Sequence, residues 1–74
     1  MKEKILEILR EINPYEDIDE NSQLIEEAII ESLTLVLLIS EMEQEFNIRI
    51  PEDKLQPEYF ETVSKIEELI NALL

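Results

Sequence analysis

Ile29-Ile30-Glu31-Ser32-Leu33-Thr34-Leu35-Val36-Leu37-Leu38-Ile39-Ser40-Glu41-Met42-Glu43-Gln44-Glu45-Phe46 is the stretch on which the fold turns. From Ser32 it reads as one helix. With Leu35 at zero and about 100° per residue, Leu38, Ile39, Met42 and Phe46 fall within about 60° of it. Leu33, Val36, Leu37 and Ser40 gather on the opposite side, near about 150°. One helix of a small bundle cannot bury both stripes in the same core. The Leu35 stripe is therefore read as core and the second as an exposed interaction patch, since exposed apolar patches mark binding surfaces. The competing reading folds the Leu24–Ile30 segment over that second face. The patch begins beside Ser32 and ends among Glu41, Glu43 and Glu45, a pattern suited to transient partners that carry basic surfaces.

Working outward, Ile5, Ile8, Leu9 and Ile12 share one face of a first helix. Asn13-Pro14 stops it, because proline cannot continue the hydrogen-bond ladder and biases the residue before it away from helical angles. A long loop follows, from about residue 14 to 31, and its length predicts that it is pinned. Leu24, Ile25, Ile29 and Ile30 are the expected pins, with Glu26 and Glu27 left in water. After the central helix, Asn47 is the expected terminator and Ile48-Arg49-Ile50-Pro51 reads as extended. A short helical turn is expected between Pro57 and Phe60. The last helix follows Thr62, a good N-cap, and presents Val63, Ile66, Ile70 and Leu73 on one face. The fold class is all-α: a small four-helix bundle of three main helices and one short one, spanning residues 1–74 as a single domain.

Composition removes most chemistry. Hydrophobic residues make up 45% of the 74, enough for a core, and without tryptophan that core must be mostly Leu and Ile. The chain has no His and no Cys, hence no imidazole base, no thiol nucleophile and none of the common zinc ligands. It has no Gly, hence no phosphate-cradling loop. Ser32 cannot act as a hydrolytic nucleophile without a histidine to activate it. Asp17, Asp19 and Asn21 alternate as in a calcium loop, but Ser22 and Ala28 stand where that loop needs Gly and a bidentate Glu. No metal site and no catalytic residue are expected.

Charge narrows the partners. The formal net charge is −13, and no Lys or Arg occurs between Arg10 and Arg49, an interval that holds eleven acids. Such a field repels nucleic acid and anionic membrane and attracts basic protein surfaces. The most apolar run, Ala28 to Ile39, is too short to cross a bilayer. Met1-Lys2-Glu3-Lys4 leads directly into the amphipathic pattern, and a soluble, cytoplasmic monomer is expected.

Read together, these positions resemble the acyl and peptidyl carrier proteins. Ile29-Ile30-Glu31-Ser32-Leu33 is similar to that family's aspartate-serine-leucine motif. The likeness continues through Glu41-Met42-Glu43-Gln44-Glu45-Phe46, Ile48, Ile50-Pro51, Pro57-Glu58-Tyr59-Phe60, Thr62-Val63 and Ile66. The resemblance implies a non-catalytic carrier whose 4'-phosphopantetheine arm is attached to Ser32 by a magnesium-dependent phosphopantetheinyl transferase using coenzyme A. It implies that the arm holds acyl or aminoacyl groups as thioesters for loading and acyl-processing enzymes with basic docking patches. These would meet Leu33, Val36, Leu37, Ser40, Glu41 and Glu45. Fatty acid, polyketide, peptide and D-alanyl pathways are all open. The Lys54–Phe60 segment looks closer to stand-alone aminoacyl, D-alanyl-type or polyketide carriers.

Two positions depart from the family's pattern. Glu31 stands where Asp, a stronger N-cap, is usual, so Ser32 could itself become the cap and tie up its hydroxyl. Ala28 stands where Gly is usual, so a positive φ there would be strained. The alternative from another class is an acidic helical interaction module that carries no prosthetic group.

The acidic interval makes stability depend on screening. The Debye length falls from about 10 Å at 0.1 M salt to about 3 Å at 1 M. The melting temperature should therefore rise over that range of sodium chloride, and a flat profile in thermal melts would show that the acids do not repel appreciably.

Overall fold

The computed structural model describes residues Met1–Leu74 as three α-helices and two 3-10 turns, with no strand. Helix α1 spans Lys2–Ile12, α2 Ser32–Phe46 and α3 Val63–Leu73; the 3-10 turns are Glu52–Lys54 and Pro57–Phe60. The all-helical class stands, but the fourth helix of the sequence reading is a 3-10 turn, and a second such turn precedes it. The reason is length. Pro57 opens the segment, Thr62 already caps α3, and within that space the chain closes i→i+3 bonds such as Tyr59 N–H to Gln56 C=O at 3.1 Å.

α1 packs against both α2 and α3, and α3 also packs on the Pro57–Phe60 turn. Ile5, Ile8 and Leu9 of α1, Leu38 and Met42 of α2, and Val63, Ile66, Leu69 and Ile70 of α3 meet with Phe60 in one buried cluster. Leu35, Ile39 and Phe46, assigned to the same α2 stripe by spacing, are half-buried at its margin. Leu73 likewise sits at the edge, while Leu69 is buried beside Ile66 and Ile70.

The long acidic segment between α1 and α2 is held at three places. Leu24, Ile29 and Ile30 are buried and Ile25 half-buried, with Glu26 and Glu27 exposed. Leu24 N–H donates to Glu61 C=O at 2.8 Å, and Ile30 N–H closes back onto Leu24 C=O at 2.9 Å. Ile18 is also buried, a pin that spacing did not reveal because it stands alone between Asp17 and Asp19. Arg10 Nε and Nη2 both donate to the Ile18 carbonyl, at 3.2 and 2.9 Å, tying the loop to the end of α1. Asp19 Oδ1 accepts from Asn21 N–H at 2.8 Å, and Ser22, the one buried polar residue, accepts from Asp19 N–H at 3.0 Å. The alternating Asp19 and Asn21 thus build a local turn.

Two residues take positive φ, Ala28 at 57° and Asn47 at 52°. Asn47 ends α2 in the left-handed conformation that asparagine tolerates, its N–H returning to Glu43 C=O. Alanine tolerates that region poorly; its Cβ crowds the following carbonyl at a cost of about 1–2 kcal/mol. Ala28→Gly should remove this crowding. Against glycine's greater unfolded-state entropy the net gain is about 0.5–1 kcal/mol, readable as a raised urea midpoint at unchanged slope.

Candidate functional site

Ser32 lies where the pinned loop becomes helix. Ile29 and Ile30 are buried immediately before it, and Leu35 and Leu38 anchor the first two turns of α2 behind it. Between these anchors Glu31 takes extended angles, φ −118° and ψ 179°, as the N-cap residue, and Leu35 N–H donates the first helical bond to Glu31 C=O at 2.7 Å. Ser32 is thus the first residue inside the helix and is exposed. It does not take the capping position itself. Glu31 occupies that position, and its side chain makes no capping bond.

Beyond Ser32 the second stripe of α2 faces outward. Leu33 is 76% exposed, Val36 64% and Leu37 53%, and Ser40 is exposed in line with them. The Leu24–Ile30 segment turns its apolar side chains into the core, so the reading in which it covers this stripe is set aside.

The glutamates that follow are not equivalent. Glu41 is exposed, next to Leu37 around the helix. Glu43 Oε2 accepts from Ile50 N–H at 2.9 Å and so fastens the chain after α2. Glu45 Oε1 lies 3.9 Å from Lys4 Nζ of α1, and the same ammonium is 3.8 Å from Glu7. Glu45 therefore sits toward the α1 seam, about 80° around the helix from Leu35 and away from Val36. The helical wheel carries that angle; only the fold supplies Lys4 as its neighbour.

The one cleft of the molecule, about 320 Å³, lies elsewhere, between Lys54, Tyr59, Lys65 and Leu69. Lys54 Nζ sits 5.0 Å above the Tyr59 ring there. No residue of α2 or of the segment before it lines this cleft, so it does not adjoin Ser32 in the way an enclosed reaction site would. No group of three His, Cys, Asp or Glu residues is placed to hold a metal ion, and no helix is long and apolar enough to cross a membrane.

An exposed serine at the solvent end of a helix leaves its hydroxyl open to solvent, with apolar and acidic surface beside it. Comparison with known proteins gives the family of the chain. Residues 3–73 match the family model described as the phosphopantetheine attachment site, and the chain belongs to that family of non-catalytic carriers, whose prosthetic group is covalently bound 4'-phosphopantetheine. Among curated proteins it is similar to the D-alanyl carrier proteins of Lactococcus lactis subsp. cremoris strains MG1363 and SK11. Each is 34% identical over 68 residues, covering 89% of this chain and 86% of the relative. The D-alanyl carrier protein of L. lactis subsp. lactis strain IL1403 is 32% identical over the same length. No solved structure matches at comparable significance.

The two faces of α2 should respond differently to substitution. Val36→Asp on the exposed stripe should change unfolding free energy by no more than about 0.5 kcal/mol. Leu38→Ala in the core should cost about 2–5 kcal/mol, through lost burial and the cavity left behind. Denaturant titration of both variants checks this, and unfolding by Val36→Asp would move that stripe into the core.

Proposed function

We propose that this protein carries an aminoacyl group, D-alanine, as a thioester on a 4'-phosphopantetheine arm joined to Ser32, and that residues 1–74 act as one carrier domain. The observation that carries the reading is the exposed Ser32 at the first position of α2, in a chain that belongs to the phosphopantetheine-attachment family. The residues present fit the group: an accessible hydroxyl stands at the positive end of a helix dipole, where an anionic phosphodiester is favoured. The thiol arrives with the arm, so a chain without cysteine loses nothing.

Cargo is inferred from the relatives, which are named as D-alanyl carriers; a fatty acid cargo has no such support. Leu33, Val36, Leu37 and Ser40 form the docking face for the transferase and loading enzyme, with Glu41 on its rim. Glu45, drawn to Lys4, contributes at the far edge through its charge. Basic groups around an apolar pocket on the partner complement such a surface and speed encounter.

Incubation with coenzyme A, magnesium and a broad-specificity phosphopantetheinyl transferase should add one arm, mapped by mass spectrometry to Ser32. Ser32→Ala should take none and keep its helical content. The modified protein should then accept D-alanine from an ATP-dependent D-alanine-activating ligase. Val36→Asp or Leu37→Asp should slow modification about tenfold, as loss of an apolar anchor worth roughly 1.4 kcal/mol requires. An adduct on Ser22, Ser40 or Ser64 would overturn the assignment.

A further inference from the structure

Of the aromatic side chains, Phe60 is fully buried, and Phe46 and Tyr59 pack against the buried cluster. Tyr15 does neither. It is 99% exposed, so its ring stands in water. An isolated exposed side chain is ordinary, but the way this one is held is not. Asn13, Pro14, Tyr15 and Glu16 form a turn closed by Glu16 N–H donating to Asn13 C=O at 3.1 Å. Pro14 takes the second position, where its fixed φ suits such a turn, and Tyr15 the third. The turn is fastened on both sides. Before it, Asn13 N–H and Nδ2 both donate to the Leu9 carbonyl, at 2.9 and 3.3 Å. After it, Ile18 is buried and Arg10 holds its carbonyl with two bonds. A firm base thus presents a bare phenol ring.

The turn also has a definite place. Lys4, near the start of α1, lies beside Glu45, near the end of α2, and the two helices pack together, so α1 runs back along α2 toward Ser32. At about 1.5 Å per residue, Asn13 lies about 13 Å along α1 from Lys4, against about 20 Å between Glu45 and Ser32. Tyr15 therefore projects from the half of the molecule that bears Ser32. Glu11, Glu16 and Asp17 are exposed in the same stretch, and its one cation, Arg10, is engaged with Ile18. The result is an aromatic tip flanked by acids.

We infer that Tyr15 is a second docking element, which the enzyme that loads the arm takes into a ring-sized pocket with Lys or Arg on its rim. The inference rests on the proposed attachment and loading at Ser32 and adds a contact outside α2. Tyrosine offers a large contact surface with few rotatable bonds, and aromatic rings seated in pockets carry much of the energy of an interface. The acids beside it complement a basic rim and speed encounter. The loading enzyme is the partner this position suits. A transferase reacts with Ser32 itself, which keeps its contacts close to the first turn of α2. A loading enzyme reacts with a thiol at the end of a flexible arm, so its hold can lie on surface well away from Ser32.

The test uses wild type, Tyr15→Ala and Tyr15→Phe, each modified on Ser32 as established by mass spectrometry, with the ATP-dependent D-alanine-activating ligase of the same organism. Tyr15→Ala should raise the KM for the carrier about tenfold, with kcat changed less than about twofold, as loss of an aromatic anchor requires. Tyr15→Phe keeps the ring and should stay within about threefold of wild type. In Tyr15→Ala the transferase step should run at the wild-type rate, and the melting temperature should stay within about 2 °C, since the ring packs on nothing. Glu16→Lys combined with Asp17→Lys should lower the association rate with the ligase and flatten its salt dependence. An unchanged KM in Tyr15→Ala overturns the inference alone. So does equal slowing of the transferase step, which would make Tyr15 a general contact, or a markedly lower melting temperature, which would make it structural. Wild-type protein that takes no arm, or takes no D-alanine once the arm is in place, overturns the proposed function and this inference with it.

Discussion

Burial of Leu38 and Met42 against α1 sets the rotation of α2 about its own axis, and that rotation decides what every other residue of the helix can do. Because both side chains are fully buried, Val36 and Leu37, lying opposite, have no place in the same core. The rotation also turns Glu45 toward Lys4 and Glu43 toward the chain that leaves the helix, while Glu41 stays free beside the apolar stripe. A small domain cannot cover all sides of a central helix with so few elements. What remains uncovered is a surface with defined composition, apolar along its middle and acidic at one rim.

The second determinant is the loop that delivers the chain to Ser32. A segment rich in acids would stay loose if nothing opposed its entropy and mutual repulsion. Buried Ile18, Leu24, Ile29 and Ile30 supply that opposition, and backbone bonds to Glu61 and from Arg10 fix the path between them. The chain does this without glycine, accepting alanine in a left-handed position four residues before Ser32. Ser32 is therefore presented by a strained but anchored approach, with its position set by the core on both sides.

Much of this was legible in the sequence because helical periodicity and capping act locally. The bounds of α2, the cap at Thr62, the stop at Asn13-Pro14 and the exposed face at Val36 and Leu37 all follow from spacing and residue type. What was not legible depends on pairs far apart in the chain. Ile18 is an isolated apolar residue among acids, and its burial follows from Arg10 holding its carbonyl, a contact that no periodicity encodes. The pairing of Glu45 with Lys4 needs the packing of α1 on α2 to be known first. The helical character of the Pro57–Phe60 segment follows from its residues, but its tighter winding depends on how little chain separates Pro57 from the cap at Thr62.

Glu31 shows how recognition and stability can pull on one position. A shorter acid there would cap the helix with its own carboxylate. Glutamate keeps the negative charge at the helix end but leaves the N–H groups of Ser32, Leu33 and Thr34 unoccupied. The exposed hydroxyl is then free of a capping bond, and the strongest unmet demand on the surface of α2 lies beside it. In a protein without catalytic groups, function resides in what is attached and what docks. The arrangement of α2 keeps two exposed features apart along one helix: the Ser32 hydroxyl at its open first turn, and the apolar outward face of Leu33, Val36 and Leu37 that the core rejects.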